Sequence, residues 1–368
     1  MKKKNLCKTL LKTMCIVLGI LILALLAYIV YLYASYYRIE DNQELVVEAP
    51  VDNTTTGAAA VLATDTEYSA VTYNIGFGAY LPDYSFFMDG GTSSWAESPE
   101  TVQYAINGAG ELVKSLDPDF ALIQEIDLDA TRSYHTDEYE MLRNILPEYT
   151  TVFAQNYDSA FLFYPFTQPH GSSRAGLGLF SKYPVSSALR RSFPISTSFS
   201  KFFDLDRCYS VSRIPVDNGK ELVIFNLHMS AYGNSDEIRK GQTEMLCNDM
   251  AKEYEAGNYV LCGGDFNHDL KASEEDAESC ESWAFPFPRS ELPEHFTFCL
   301  DLLTEEEQAA LWNSARNADM EYVPGVTYTV TLDGFIISDN IECLSYENVN
   351  TGYSYSDHDP VKVEFVLK

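Results

Sequence analysis

Asn258-Tyr259-Val260-Leu261-Cys262-Gly263-Gly264-Asp265-Phe266-Asn267 is an apolar run that ends in two glycines, a carboxylate and, two residues later, an amide. So short a run, closed by glycines, reads as a buried strand. Asp265 and Asn267 lie two apart, so in extended geometry both face one side. The paired glycines let the backbone bend and pack closely as the strand ends. A carboxylate beside an amide can hold a metal, an attacking water and a phosphate oxygen together. Alone, Asp-x-Asn is ordinary turn chemistry, but it has four companions. They are Thr72-Tyr73-Asn74-Ile75, Gln124-Glu125, Asn226-Leu227-His228 and Ser356-Asp357-His358-Asp359-Pro360. Each closes a strand-like stretch and offers a carboxylate, amide or imidazole, which points to one site assembled from the ends of several strands. Hard oxygen ligands suit Mg²⁺, with Mn²⁺ as a substitute, and two histidines suit proton transfer. Together they point to hydrolysis of a phosphate ester.

Glu125 follows Ala121-Leu122-Ile123-Gln124. A carboxylate leaving such a run is costly to bury unless it is paired or bound to a cation, so Glu125 is expected as a metal ligand. Asn74 is neutral and can complete a coordination shell without adding charge; by itself it is an ordinary turn asparagine. His228 closes Leu222–Leu227, where a lone histidine is usually structural. His358 differs, because Asp357 and Asp359 flank it and carboxylate neighbours raise imidazole basicity. Asp333, after Thr329-Val330-Thr331-Leu332, is the carboxylate expected to fix that ring. His135, His170, His268 and His295 lack such a setting and are expected on the surface or in loops.

Around these endings the chain alternates strands and helices from residue 68 to residue 368. Ser98-Pro99-Glu100 opens a helix with an N-cap serine, a proline at its first position and an early acid, and Asp117-Pro118 stops it. Further helices are expected near 136–146 and 235–254. Strands are expected over 69–75, 119–124, 149–153, 176–181, 207–216, 221–228, 328–338, 341–348 and 361–367. Asp217-Asn218-Gly219-Lys220 is a hairpin turn. Many hairpins and few long helices favour an α/β sandwich of two packed sheets over one parallel sheet. Two aromatic-rich segments, 79–98 and 160–174, are expected as loops folded over the core, or as elements that shape a substrate mouth or touch a membrane.

Residues 13–37 contain no charge. As a helix this stretch is about 37 Å long, enough to cross a ~30 Å hydrocarbon core. Its apolar core exceeds that of a signal peptide, about 7–15 residues, and no clear small-x-small cleavage site follows. The expected organisation is therefore a cytoplasmic basic segment, 1–12, a transmembrane signal anchor, 13–37, a linker, 38–67, and a catalytic domain, 68–368. Five lysines before the span favour a cytoplasmic N-terminus and a domain outside the cytosol. Beyond Arg38 the chain carries 19 basic and 54 acidic residues, a net charge of −35. Such a surface repels polyanions at long range and argues against a broad nucleic-acid face. No Cys-x-x-Cys pair exists to build a structural zinc site. Cys280 and Cys299 flank a Pro- and aromatic-rich loop and are the pair expected to join if the domain is exported.

The set of motifs resembles the endonuclease/exonuclease/phosphatase superfamily, the deoxyribonuclease I-like group. The matching pieces are Thr72-Tyr73-Asn74, Leu122-Ile123-Gln124-Glu125, Gly178–Pro184, Asn226-Leu227-His228, Gly263–Asn267, Leu332–Ile336 and Ser356-Asp357-His358, in that order. The resemblance implies a four-layer α/β sandwich with two mixed sheets flanked by helices, and a divalent-metal phosphoesterase. By position it implies that Asn74, Glu125 and Asp357 hold the metal, and that Asp265 and Asn267 orient water and phosphate. It also implies that His358, held by Asp333, acts on the phosphate, with His228 as the second histidine. Gly76 stands where some nucleases carry an acid, Gly334 replaces a bulkier residue, and no carboxylate partner for His228 is evident. The implied partner is a phosphate ester: a phospholipid head group, a small phosphodiester or nucleic acid. A membrane-anchored nuclease and a catalytically silent binding protein of the same fold are the alternatives; no protein partner is expected.

Overall fold

The computed structural model describes residues 2–52, 61–231, 236–274 and 283–368. The chain divides into two units, Met1–Arg38 and Ile39–Lys368. The first is a single helix, Lys2–Ser35, of which Leu6–Ser35 is long and apolar enough to cross a membrane.

In the second unit two seven-stranded sheets pack face to face. One runs Gln43–Glu44, Ser187–Ser192, Cys208–Pro215, Glu221–His228, Tyr259–Asp265, Asp333–Ser338, Phe296–Phe298. The other runs Ile341–Asn348, Val361–Leu367, Glu67–Asn74, Phe120–Ala130, Ser173–Ser181, Thr150–Asp158, Val47–Glu48. Both are mixed, with one parallel pair at the centre of each, 221–228 beside 259–265 and 67–74 beside 120–130. Helix Pro99–Leu116 covers the second sheet; Ser98 Oγ caps it by accepting from Thr101 N at 3.1 Å, and left-handed Asp117 ends it. Helix Glu138–Ile145 joins it there, and helix Asp236–Glu255 lies against the first sheet. The result is the expected four-layer α/β sandwich.

The inter-sheet core is apolar, built from residues such as Leu122, Leu179, Phe225, Leu261, Ile336 and Val363. Polar contacts cross it near the strand ends. Gln124 Nε2 donates to Asn226 Oδ1 at 2.8 Å, and Asn226 Nδ2 donates to Gly178 O at 3.0 Å. Both side chains are fully buried. Gly264, at φ 147°, makes the same ending possible on the backbone: a Cβ there would lie 2.1 Å from Leu227 O.

Several expectations change. Residues 38–67, read as a linker, instead supply edge strands 43–44 and 47–48, one to each sheet; residues 53–60 lie outside the described residues. Strand 328–338 is broken, because Thr331 and Leu332 direct their carbonyls to Leu270 N and Phe266 N and leave only 333–338 in the sheet. Cys299 hydrogen-bonds to the Cys343 sulfur; the expected pairing of Cys280 with Cys299 falls on Cys280, which lies outside the described residues.

Asn226→Leu should lower unfolding free energy by about 1–2 kcal/mol, because it removes the hydrogen bond to Gly178 O and one of the three partners of Gln124 Nε2 in the core. Denaturant titration of the full chain in detergent checks this; a loss under about 0.5 kcal/mol would show that the contact does not tie the sheets together.

Candidate active site

Strand register sets the site. In the first sheet Asp265 is level with His228 on one side and with Asp333 on the other. In the second, Asn74 is level with Gln124, so Glu125 comes next. There the pairing slips between Ile123 and Ile126, and Glu125 takes a left-handed conformation, φ 56°. Asn267 does the same at φ 50°. A non-glycine residue in this region is strained, and two of them converging on one cavity mark a place where geometry is imposed by its surroundings. The bulge aims Glu125 across the gap between the sheets.

Asp265 is the hub. Its Oδ2 accepts from Asn74 Nδ2 at 3.0 Å and lies 3.5 Å from His228 Nε2 and 3.9 Å from His358 Nε2. Its Oδ1 accepts from Asn267 N at 2.8 Å. Burial pushes its carboxyl up to about 7, against the pull of His358 and with the push of Asp333. His358 Nδ1 meets Asp333 Oδ2 at 2.7 Å, and Asp333 also accepts from Ser314 Oγ at 2.7 Å. Although burial opposes a charged ring, Asp333, Asp265 and Asp357 hold His358 protonated, well above the usual imidazole range. Asp359 plays no part in this, because it accepts from Trp312 Nε1 and from the backbone of Thr351 and Tyr353.

His228 behaves oppositely. It is buried, its Nδ1 has no partner, and burial followed by the charges of Arg207, His358 and Arg132 hold it neutral. Among the described residues no carboxylate meets its Nδ1; the nearby acids, Asp265 at 3.5 Å and Glu125 at 4.0 Å, both lie on the Nε2 side.

Asn74 Nδ2 donates to both Glu125 Oε1, at 3.2 Å, and Asp265 Oδ2, while its Oδ1 accepts from Gly76 N at 3.0 Å. In this arrangement the amide ties two acids together, and ligating a cation directly would require it to turn. Asp357, beside Glu125, is pushed up to about 6 by burial, offset by His358 and Arg316. At the mouth Asp89 is raised to about 7 by burial and by Asp357 and Glu125. Buried oxygen donors that repel one another fit a divalent cation, which would relieve both the burial and the repulsion. A tighter cluster, Asp265, Asp333 and His358, has ligating atoms within 4.8 Å of one another. There, however, Asp333 Oδ2 is taken by His358 and Ser314, so this cluster is an acid–imidazole–acid chain. No room exists for an acid at position 76, where a Cβ would lie 2.7 Å from Tyr80 Cδ2 and 3.2 Å from Asp357 Oδ1.

These groups gather around a cavity of about 410 Å³. The expected site residues Glu125, His228, Asp265, Asn267, Asp357 and His358 line it directly, while Asn74 and Asp333 contact its lining. Sequence reading missed Arg132, Arg207, Arg316 and Asn156, which also line it. Arg132 binds Asp127 through two nitrogens, at 2.8 and 3.1 Å, and lies 3.7 Å over the Phe77 ring. An arginine adjoining a strand carries no sequence signal that separates this use from a surface one. Two histidines expected at the surface or in loops lie in loops but are buried: His268 bonds Phe266 O at 2.6 Å, and His170 packs by Phe86 and Phe87. The aromatic segments hold each other, Trp95 Nε1 donating to Pro169 O at 2.7 Å, and leave Phe166 85% exposed.

The Endonuclease/Exonuclease/phosphatase family matches the chain over residues 71–300. No curated protein matches it. Similar solved structures include an endonuclease/exonuclease/phosphatase from Beutenbergia cavernae, 14% identical, with a TM-score of 0.55 over 82% of this chain and 72% of that one. Another, from Bacteroides vulgatus, is 17% identical, with a TM-score of 0.53 over 83% of this chain and all (100%) of the other. The human Nocturnin catalytic domain with bound sulfate anion is 18% identical, with a TM-score of 0.52 over 82% of this chain and 95% of that chain. At these identities the likeness is one of fold.

Burial, aided by Arg132, depresses His170 from 6.5 to about 3. Between those values the unfolded chain binds the proton and the folded one does not, so this contribution to stability is lost as pH falls from 6.5 toward 3. His170→Gln should flatten the fall in unfolding free energy between about pH 6 and 4 by up to about 1.4 kcal/mol per pH unit. Parallel wild-type and variant curves in that window would refute the buried neutral ring.

Proposed function

The chain belongs to the endonuclease/exonuclease/phosphatase family, and from that premise we propose that it is a divalent-metal-dependent phosphoesterase, anchored by its N-terminal helix and acting outside the cytosol. The observation that carries the reading is the buried Asp333–His358 pair, 2.7 Å apart, with Asp265 within 3.9 Å of the same ring. Its positioned acid, protonated imidazole and neutral imidazole leave no catalytic group missing, which disfavours a silent binding protein.

Glu125 and Asp357, with Asn74 and Asp265 beside them, would hold Mg²⁺ or Mn²⁺. The bound ion supplies positive charge against the negative charge that develops on the phosphoryl oxygens. Asp265 orients the attacking water and accepts its proton, and Asn267 positions water and phosphate. His358 donates from Nε2 to a phosphoryl oxygen while Asp333 keeps its Nδ1 protonated and its plane fixed. His228, neutral, donates a hydrogen bond on the other side of Asp265, to a phosphoryl or leaving-group oxygen.

The acidic surface favours a small or membrane-borne phosphodiester or monoester over nucleic acid. Exposed Tyr164 and Phe166, on a chain with a membrane-length helix, favour phospholipid head groups.

The test is hydrolysis by the full chain in detergent with Mg²⁺, Mn²⁺ or EDTA. The panel is bis-p-nitrophenyl phosphate, sphingomyelin, inositol phosphates, RNA and plasmid DNA. Turnover of one class, abolished by EDTA, is expected. Asp265→Ala, His358→Ala and Glu125→Gln should each lower it by roughly 10³-fold or more with the fold intact. Full activity in His358→Ala would overturn the mechanism.

A further inference from the structure

Asn156 is the odd residue of its strand. Thr150–Asp158 pairs with Ser173–Ser181 so that Gln155 faces Gly176 and Tyr157 faces Ala175, which leaves Asn156 unpaired in a bulge. A bulge redirects a side chain, and bulges gather beside active sites. Here the redirected side chain lines the catalytic cavity, is 1% exposed, and has no partner for either Oδ1 or Nδ2. Burying an amide unpaired opposes folding, so its retention needs a cause outside the fold itself.

Arg207 has the same property. It directly precedes strand Cys208–Pro215, lines the same cavity, is 7% exposed, and has no partner for Nε or Nη1. The other large buried cations are engaged: Arg132 with Asp127, Arg190 with the carbonyls of Gln155 and Asp206, and Arg316 with those of Leu81 and Asn317. Among the described residues no ion pair joins Arg207 to a carboxylate. Gln155 O accepts from both Arg190 Nε, at 2.7 Å, and Cys208 Sγ, at 3.8 Å, so the strand bearing Asn156 meets the strand that Arg207 precedes at this point. His228, whose Nδ1 is also unpartnered, lines the cavity with them and with Asp265.

We propose that Arg207 and Asn156 form a second anion subsite of the catalytic cavity, which receives a second phosphoryl group of the substrate, so that the preferred substrate is a small bisphosphorylated molecule. The proposal rests on the phosphoesterase reading above and adds the substrate class. A guanidinium fork offers parallel N–H donors to a tetrahedral oxyanion, and the amide adds a donor for an esterified oxygen and an acceptor for a protonated one. Asp204 lines the same cavity, so attraction here comes from directed donors and not from a broad positive potential. This reconciles a net acidic domain with an anionic substrate: the charge is recognised only inside.

The experiment is calorimetric titration of the full chain in detergent and Mg²⁺ with propylphosphonate and with α,ω-alkylene bisphosphonates of graded length. One bisphosphonate should bind about 10- to 100-fold tighter than propylphosphonate. Arg207→Met should erase that gain, Arg207→Lys should keep part of it, and Asn156→Leu should reduce it. Because these changes remove unpaired buried polar atoms, Asn156→Leu and Arg207→Met should melt no lower than wild type. The proposal is overturned if no bisphosphonate outbinds propylphosphonate, if the gain survives Arg207→Met, or if that variant weakens both ligands equally. Bis-p-nitrophenyl phosphate turnover in the same samples reports separately on the hydrolytic reading. Turnover without the affinity gain sinks the subsite alone, and the gain without turnover of any phosphoester sinks the hydrolase.

Discussion

The hydrogen bond from Gln124 to Asn226 joins two sheets across an interface that is mostly apolar. Apolar packing is non-directional and leaves two sheets free to slide; a buried amide pair does not, because each displacement strands polar atoms. This contact lies next to the functional endings in both sheets. Glu125 follows one partner directly, and His228 comes two residues after the other. Holding these amides together therefore brings Asn74 and Glu125, from one sheet, to Asp265 and His228, from the other.

What that alignment creates is electrostatically costly. Asp265 and Asp357 are forced up toward neutrality by burial, and only His358 offsets both. Glu125 and Asn267 adopt backbone conformations that non-glycine residues avoid. Cost of this kind persists where the surrounding fold over-determines it, and it is lowered by a bound cation and a bound substrate. The two histidines show how environment separates identical groups. Carboxylates surround His358 and keep it charged, while burial and arginines keep His228 neutral. One imidazolium and one imidazole beside a single carboxylate can serve different proton and hydrogen-bond roles at one pH.

The sandwich was legible because its strands are apolar runs with turn residues between them, and its capped helix because Ser98, Pro99 and Asp117-Pro118 are strong local signals. The candidate residues that converge on the cavity were legible because each stands at the end of such a run. Edge strands 43–44, 47–48 and 296–298 were not, since strands of two or three residues owe their pairing to the neighbour and not to their own pattern. His170 and His268 read as surface or loop residues because nothing local reveals what packs on them. Asp359, next to His358 in the chain, turned to the 351–353 loop instead, since side-chain direction depends on the loop's hydrogen bonds.

By itself, the sequence determined the apolar N-terminal helix, the two-sheet class and the residue types placed at the strand ends. These follow from periodicity and from short-range backbone preferences, which act within a few residues. Only tertiary structure decided that Asn74 bridges two acids, that no carboxylate meets His228 Nδ1, and that the Asn156 amide and two nitrogens of Arg207 line the cavity without partners. Those outcomes depend on register, bulges and burial between segments up to 191 residues apart, as with Asn74 and Asp265. Coulombic and desolvation effects act through space, so groups remote along the chain set them.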